Sequence, residues 1–189
     1  MIIRKAKAED ADVIAEYMML AMREIIYHFI GEKSNQKGNE FLESLISKKS
    51  NQYSYENCWV AESEQGVLAV ANVYNGAVLK ELRTTVEKQL NLMFNKDLSL
   101  EDETEAGEFY IDCIGVNPNE QGKGLGTQML KFLIDEYVQK QKRTLGLLVD
   151  HDNPNARRLY LKLGFEIAGE KTLMGKRMDH LQFKNKSAL

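Results

Sequence analysis

The sequence predicts an α/β protein in which helices flank a mixed β-sheet, and two observations support this class. First, the apolar runs Cys58–Ala61 and Val67–Tyr74 surround the turn Glu64-Gln65-Gly66, a pattern typical of an antiparallel hairpin. Second, the stretch from Phe109 to Gly169 alternates strand, helix, strand, helix, strand. In that order, neighbouring strands pair in parallel through helical crossovers.

The composition excludes several classes of protein. With 189 residues, the chain is long enough for one domain with a substantial core and short for two. Apolar residues make up 43% and charged residues 28%, the balance of a folded globular protein. A net charge of −3 argues against nucleic-acid binding. The sequence has neither a membrane-length apolar run nor a signal-peptide core, so we expect a cytoplasmic protein without membrane attachment.

Cysteines and histidines give no metal pattern. Cys58 and Cys113 lack ligand spacing, and the three histidines are far apart in the sequence. We therefore expect two free thiols in a reducing compartment and no metal site.

The first part of the chain predicts one strand and two helices. Ile2–Lys5 is apolar and short, as in an edge strand. Acidic residues then precede a long apolar helical stripe that Gly31 ends. After a polar loop, a second helix is predicted over about Asn39–Ser47.

The segment after the hairpin combines a helical pattern with an acidic run. Apolar residues recur at helical spacing from Leu79 to Phe94, and Glu101–Glu105 carries four acids. The apolar stripe must be buried against the body or against a second subunit, which leaves a homodimer open. The acids are either a solvated loop or a source of negative charge that attracts a cationic ligand.

The most informative stretch joins a buried strand to a glycine-rich helix start. Phe109–Val116 is rich in β-branched and aromatic residues, and Pro118 ends the strand in a turn. The following helix has one apolar stripe, formed by Leu125, Met129, Phe132, Leu133 and Tyr137.

The glycine turn has the chemistry of an anion site. Gly122, Gly124 and Gly126 leave backbone N–H groups unshielded at the positive end of a helix, Lys123 adds a charge and Thr127 adds a hydroxyl. A phosphate is the expected ligand. A dinucleotide fingerprint would need glycine in place of Thr127, and no lysine followed by Ser or Thr completes a Walker loop.

The second half predicts further strands around one helix. Thr144–Val149 is a continuous apolar strand. Asn153 precedes Pro154 as a helix N-cap, and Gly164 ends that helix. A strand begins at Phe165, Met178–Phe183 is the last strand, and residues 184–189 are an expected frayed tail.

Two motifs carry a family resemblance. Gln121, Gly124 and Gly126 fit Q-x-x-G-x-G, and Asn153 to Phe165 fits N-x-x-A-x-x-L-Y-x-x-x-G-F. In this order and spacing the sequence resembles the GNAT superfamily of N-acetyltransferases, most closely over residues 109–165. The resemblance implies a mixed, mostly antiparallel central sheet flanked by helices. It also implies a single domain over residues 1–183, in which residues 78–105 are a helical insertion between strands 3 and 4.

The resemblance also assigns roles to residues. Acetyl-CoA would be the co-substrate, and an oxyanion donor would come from Ile114, Gly115 or Val116, where a bulge splays the strand. Tyr160 would protonate the leaving thiolate, and Asn153 would lie near the cofactor as well as capping its helix. The pyrophosphate would bind the turn formed by Gln121, Gly122, Lys123, Gly124, Leu125, Gly126 and Thr127.

A base is needed as well. An alkyl amine with a pKa of about 10.4 is neutral in only about one molecule in 2500 at pH 7. Asp112, an acid within a buried strand, is the candidate base, because burial raises a carboxyl pKa toward a useful range. Alternatively, Asp112 binds the substrate ammonium or braces the neighbouring strand.

The predicted activity is transfer of acetyl from acetyl-CoA to a primary amine of a small molecule, peptide or protein. One alternative is a non-catalytic acyl-CoA-binding regulatory module on the same fold. A more distant alternative is a nucleotide-phosphate binder. No motif in the sequence selects the acceptor.

Overall fold

The computed structural model describes residues 1–98 and 100–185 of the chain. Within them, the strands are β1 Ile2–Lys5, β2 Cys58–Ser63, β3 Gly66–Asn75, β4 Glu108–Val116, β5 Thr144–Asp150, β6 Glu166–Leu173 and β7 Lys176–Phe183. The α-helices are α1 Ala11–Ile30, α2 Asn35–Ile46, α3 Leu79–Phe94, α4 Leu125–Leu133 and α5 Pro154–Leu163. Of the predicted tail, residues 186–189 lie outside the described residues.

The strands form one mixed sheet in the order β1-β2-β3-β4-β5-β7-β6. β2 pairs antiparallel with β1 and with β3, and β7 pairs antiparallel with β5 and with β6. β4 and β5 run parallel, as predicted, and their ladder joins Glu108, Phe109 and Tyr110 to Thr144, Leu145 and Gly146. The predicted parallel pairing is wrong for β5 and β6, because β7 lies between them and pairs antiparallel with both. The predicted fold class, a mixed and mostly antiparallel sheet flanked by helices, is confirmed, and α3 lies between β3 and β4 as expected.

The described residues form two compact units. The first comprises residues 1–73, 80–98 and 113–129, and the second comprises residues 74–79, 100–112 and 130–185. β4 and α4 each contribute residues to both units. Across the described ranges, none of the helices has the length and apolar character required to cross a membrane.

In the first unit, α2 begins earlier than the sequence pattern predicts. Its first residue is Asn35, because the Ser34 hydroxyl accepts a hydrogen bond from the Lys37 N–H and caps the helix. Gly38, which reads as a loop residue, allows close approach to α1, since a Cβ there would lie 2.8 Å from the Met19 side chain. The polar residues around Gly38 therefore gave no indication of this buried contact with α1.

The apolar stripe of α3 is buried within the first unit. Val86 and Leu90 are fully buried, and the Phe94 ring meets the Phe41 ring of α2 edge to face, with centroids 5.9 Å apart. Of the two sequence alternatives, burial against the body is therefore the one observed for these residues.

The acidic run is anchored in the second unit. The Tyr74 hydroxyl donates to Glu103 over 2.8 Å, and both residues are buried. The Thr104 hydroxyl donates to Glu108 over 2.7 Å, and Glu101 accepts from the Met174 N–H. A freely solvated loop is therefore wrong for Glu103 and Thr104, because each satisfies a buried polar partner.

The helix that begins with α4 changes its winding after Leu133. Ile134–Lys140 forms π-helical turns, where the sequence predicted one continuous helix. In the second unit, the Tyr137 side chain on these turns is buried against the Phe109 ring, with centroids 4.8 Å apart.

Candidate active site

The glycine turn between β4 and α4 is open and left-handed at two residues. Gly122 has φ of 78° and Gly124 has φ of 80°, a region that residues with a side chain rarely adopt. A Cβ built on Gly122, Gly124 or Gly126 would meet nothing within 4 Å. The glycines therefore provide the backbone shape and leave the space beside it empty.

This backbone presents hydrogen-bond donors. The Gln128 N–H donates to the Gly124 carbonyl over 3.0 Å, as the first bond of α4. Among the described residues, the N–H groups of Gly124, Leu125, Gly126 and Thr127 have no acceptor. These donors and the positive end of the helix have the chemistry of an anion site, and binding of a phosphate here stays a prediction.

The Lys123 side chain, which the sequence predicts as a phosphate ligand, is paired with a carboxylate. Its ammonium group lies 2.9 Å from the Glu120 carboxylate, and its side chain is 60% exposed. An exposed pair of this kind stabilises by at most about 1 kcal/mol, so a phosphate can displace Glu120. The phosphate-binding role of Lys123 stays a prediction.

A cavity of about 200 Å³ lies beside the turn, in the first unit. Predicted residues from the end of β4 and the start of the turn form one side, and α1 contributes two residues that the sequence did not suggest as site residues. Its lining consists of Ile114, Gly115, Val116, Gln121, Leu20 and Ala21. The structure thus brings the predicted oxyanion segment and the first residue of the phosphate turn to one cavity.

Close packing explains Gly115. A Cβ at this position would lie 2.2 Å from the Tyr17 carbonyl oxygen of α1, a distance at which the backbone would have to move. Any larger residue here would push α1 away from β4. A bulge in this segment, which the family resemblance implies, stays a prediction.

Tyr160 and Asn153 lie at α5, in the second unit. The Asn153 side chain accepts from the Ala156 N–H over 3.1 Å, which confirms the predicted N-cap. The half-buried Tyr160 ring packs edge to face on Phe165, with centroids 5.9 Å apart. Its hydroxyl makes no hydrogen bond to any of the described residues. Burial raises the pKa of Tyr160, so the phenol keeps its proton at neutral pH.

Asp112 is half-buried on β4, also in the second unit, and belongs to a group of polar side chains. The pKa of Tyr74 is raised well above its usual value by burial first, and then by the charges of Asp112 and Glu103. The Tyr74 and Tyr110 rings have centroids 5.8 Å apart. Sequence reasoning included Glu103 only as one acid of the acidic run and missed Tyr74, because the two partners lie 29 positions apart. The role of Asp112 as a base stays a prediction.

Comparison with known proteins identifies the family. The model of the acetyltransferase (GNAT) family matches residues 22–165. A probable spermine N(1)-acetyltransferase of Bacillus subtilis subsp. natto is 32% identical over 79 residues, or 41% of this chain and 52% of that protein. This chain therefore matches about half the length of that curated relative.

Solved structures agree with the family model over nearly the whole chain. A crystal structure of an acetyltransferase has a TM-score of 0.82 at 27% identity, covering 98% of this chain and 100% of its own. An N-acetyltransferase from Staphylococcus aureus Mu50 has a TM-score of 0.80 at 22% identity, covering 97% and 100%, and shares the fold. Because the family model spans most of the sequence, and the glycine turn and α5 motif both lie within its match, the chain belongs to the GNAT family of acetyltransferases.

Proposed function

We propose that the protein is an N-acetyltransferase that moves an acetyl group from acetyl-CoA to a primary amine. The observation that carries this proposal is the row of unpaired N–H donors from Gly124 to Thr127, in the same unit as the cavity lined by Ile114–Val116. GNAT proteins generally use acetyl-CoA, whose pyrophosphate suits such a row of donors. We also propose that residues 1–183 form one acetyltransferase domain and that it acts in the cytoplasm.

The residues divide the work of acetyl transfer. The glycine turn, with Gln121, Lys123 and Thr127, would hold the pyrophosphate, and Asn153 would add a polar contact. Acetyl-CoA supplies an activated thioester. A backbone N–H of Ile114, Gly115 or Val116 would stabilise negative charge on the carbonyl oxygen as the bond to the amine forms.

Protons move at two side chains in this proposal. Asp112 would accept a proton from the amine, directly or through water. Tyr160 would donate its phenolic proton to the departing thiolate, and its raised pKa keeps that proton in place at neutral pH. The unoccupied hydrogen-bonding capacity of the Tyr160 hydroxyl among the described residues supports this role.

The name of the curated relative makes spermine the first acceptor to examine. Polyamines are cationic, and exposed acids of the insertion, Asp102 and Glu105, would raise their local concentration at low ionic strength. We therefore propose a cationic amine as the acceptor class and residues 78–105 as a contributor to the acceptor side.

Titration calorimetry with acetyl-CoA tests the binding step by comparing substitutions at two glycines. Gly124→Asp places a negative charge where the backbone must meet phosphate, so we expect affinity to fall at least about 100-fold. Gly66→Asp is the matched control, because Gly66 also has positive φ, at 104°, and open space beside it. It should bind as the wild type does. Equal affinity of a folded Gly124→Asp variant would contradict the assigned phosphate site.

A further inference from the structure

Asp179 of β7 joins the loop before α5 to α5 itself. Its Oδ1 lies 3.0 Å from His151 Nε2, and its Oδ2 accepts from Arg157 Nε over 2.5 Å. His151 precedes the N-cap Asn153 by two residues, and Arg157 lies in the first turns of the helix. One carboxylate therefore holds both sides of the N-cap, and its own side chain is only 9% exposed.

The helix has little else to fix its N-terminal half. None of its ten residues, all of them described, is fully buried. At the C-terminal end, Phe165 is buried and packs on both Tyr160 and Phe183. A helix without a buried apolar stripe depends on its caps and ion pairs for its position. The bond from Arg157 to Asp179 supplies that contact.

The same side chains have the ligand types of a metal site. Ligand atoms of His151, Glu170 and Asp179 all lie within 4.8 Å of one another. Arginines, however, already pair with both carboxylates: Arg157 with Asp179 and Arg177 with Glu170. Two positive charges among these groups oppose a divalent cation. The arrangement favours a clamp made of ion pairs.

We propose that Asp179 is a positioning residue for acetyl transfer, which holds α5 through Arg157 and His151 so that Tyr160 stays in place to donate its proton. Arg157 and Tyr160 are three residues apart on one helix, so their side chains are neighbours and a shift of one carries the other. The inference rests on the proposed function.

The proposal separates kcat from substrate binding. Loosening α5 would misplace the Tyr160 hydroxyl while the glycine turn, which lies in the other unit, keeps its donors. We therefore expect Asp179→Asn to lower kcat about 10-fold, because a proton donor must lie within hydrogen-bond reach to act. KM for acetyl-CoA should change much less, because Asn153 would contribute only one polar contact beside those of the glycine turn.

A double-mutant cycle tests whether Asp179 acts through Tyr160. Asp179→Asn should cost about 10-fold in kcat in the wild type and less than about 2-fold in Tyr160→Phe, because a displaced donor matters only while the donor is present. Arg157→Leu should behave in the same way. Asp135→Asn is the control, since it removes an ion-paired carboxylate of the same unit, bonded to Lys140 and outside this cluster, and kcat should be retained. Equal losses in both backgrounds would assign Asp179 a purely structural role and overturn the proposal.

Amide hydrogen exchange of α5 tests whether Asp179 anchors this helix, and it requires no measurement of activity. Exchange over residues 157–163 should become faster in Asp179→Asn and stay unchanged in Asp135→Asn. Unchanged exchange in Asp179→Asn would overturn the proposal even if the enzyme turns over. Absence of acetyl transfer in the wild type would instead contradict the proposed function, so the two failures are distinguishable.

Discussion

Tyr160 combines a ring fixed by Phe165 with a hydroxyl that binds none of the described residues. A tyrosine that served only the core would usually bury its ring and satisfy its hydroxyl with a nearby carbonyl or side chain. Because burial raises the pKa of Tyr160, its phenol is protonated throughout the physiological pH range. These properties are consistent with the proton-donor role that we propose for Tyr160.

Tyr160→Phe should lower kcat about 100-fold and leave KM for acetyl-CoA nearly unchanged, because one general acid is lost and no binding contact is removed. The sign of the pH effect follows from the raised pKa. The wild type keeps its donor at neutral pH and loses it only as the pH rises through the Tyr160 pKa, which burial raises above the usual value for tyrosine, so an alkaline fall in kcat should be absent from Tyr160→Phe.

The measurement is kcat from pH 6 to 11 under saturating substrates, with Tyr55→Phe as the control for loss of a phenol elsewhere. A Tyr160→Phe variant with wild-type kcat, under conditions in which chemistry limits turnover, would show that Tyr160 is an ordinary packing residue.

At the scale of elements, the Glu108 side chain of β4 reaches across β5 and bonds to residues of β7. Glu108 accepts from Thr104, from Gln182 over 2.7 Å, and bonds His180 at 2.9 Å. Gly146 of β5 makes this crossing possible, because a Cβ there would lie 2.0 Å from a Glu108 carboxylate oxygen. Burial would raise the pKa of Glu108, but these hydrogen bonds outweigh it and the pKa is lowered.

Gly146→Ala should therefore destabilise the fold by about 2–3 kcal/mol, because the new methyl group displaces a buried and fully bonded carboxylate. Urea unfolding gives the free energy. Gly169→Ala in β6 is the matched control, since a Cβ there would meet nothing within 4 Å. If both substitutions cost the same, the crossing of Glu108 over Gly146 does not stabilise the sheet.

At the scale of the whole molecule, the sequence predicted what depends on local patterns. The span of α3, the N-cap at Asn153 and the glycine turn were all predicted, because periodicity, capping and turn chemistry act over a few residues. The family resemblance supplied the mixed, mostly antiparallel character of the sheet, which local patterns alone leave open.

Long-range pairs could not be predicted. Glu103 meets Tyr74, Asp179 meets Arg157, and His180 meets Glu108 only after the sheet has formed. Each pair joins residues more than 20 positions apart, and Arg157, although it lies within the α5 motif, occupies a position that the motif leaves open. Even within the motif, the Lys123 side chain has a partner that the motif does not specify, the carboxylate of Glu120.

The most direct test of acetyl transfer is the release of free thiol from acetyl-CoA by the purified protein, measured with a panel of amines that includes spermine. The account predicts thiol release that depends on the amine, matched mole for mole by acetylated amine in mass spectrometry, and strongly reduced in Tyr160→Phe. Tight binding of acetyl-CoA without acetylation of any amine, peptide or protein in the panel would contradict it and would indicate a non-catalytic acyl-CoA-binding module.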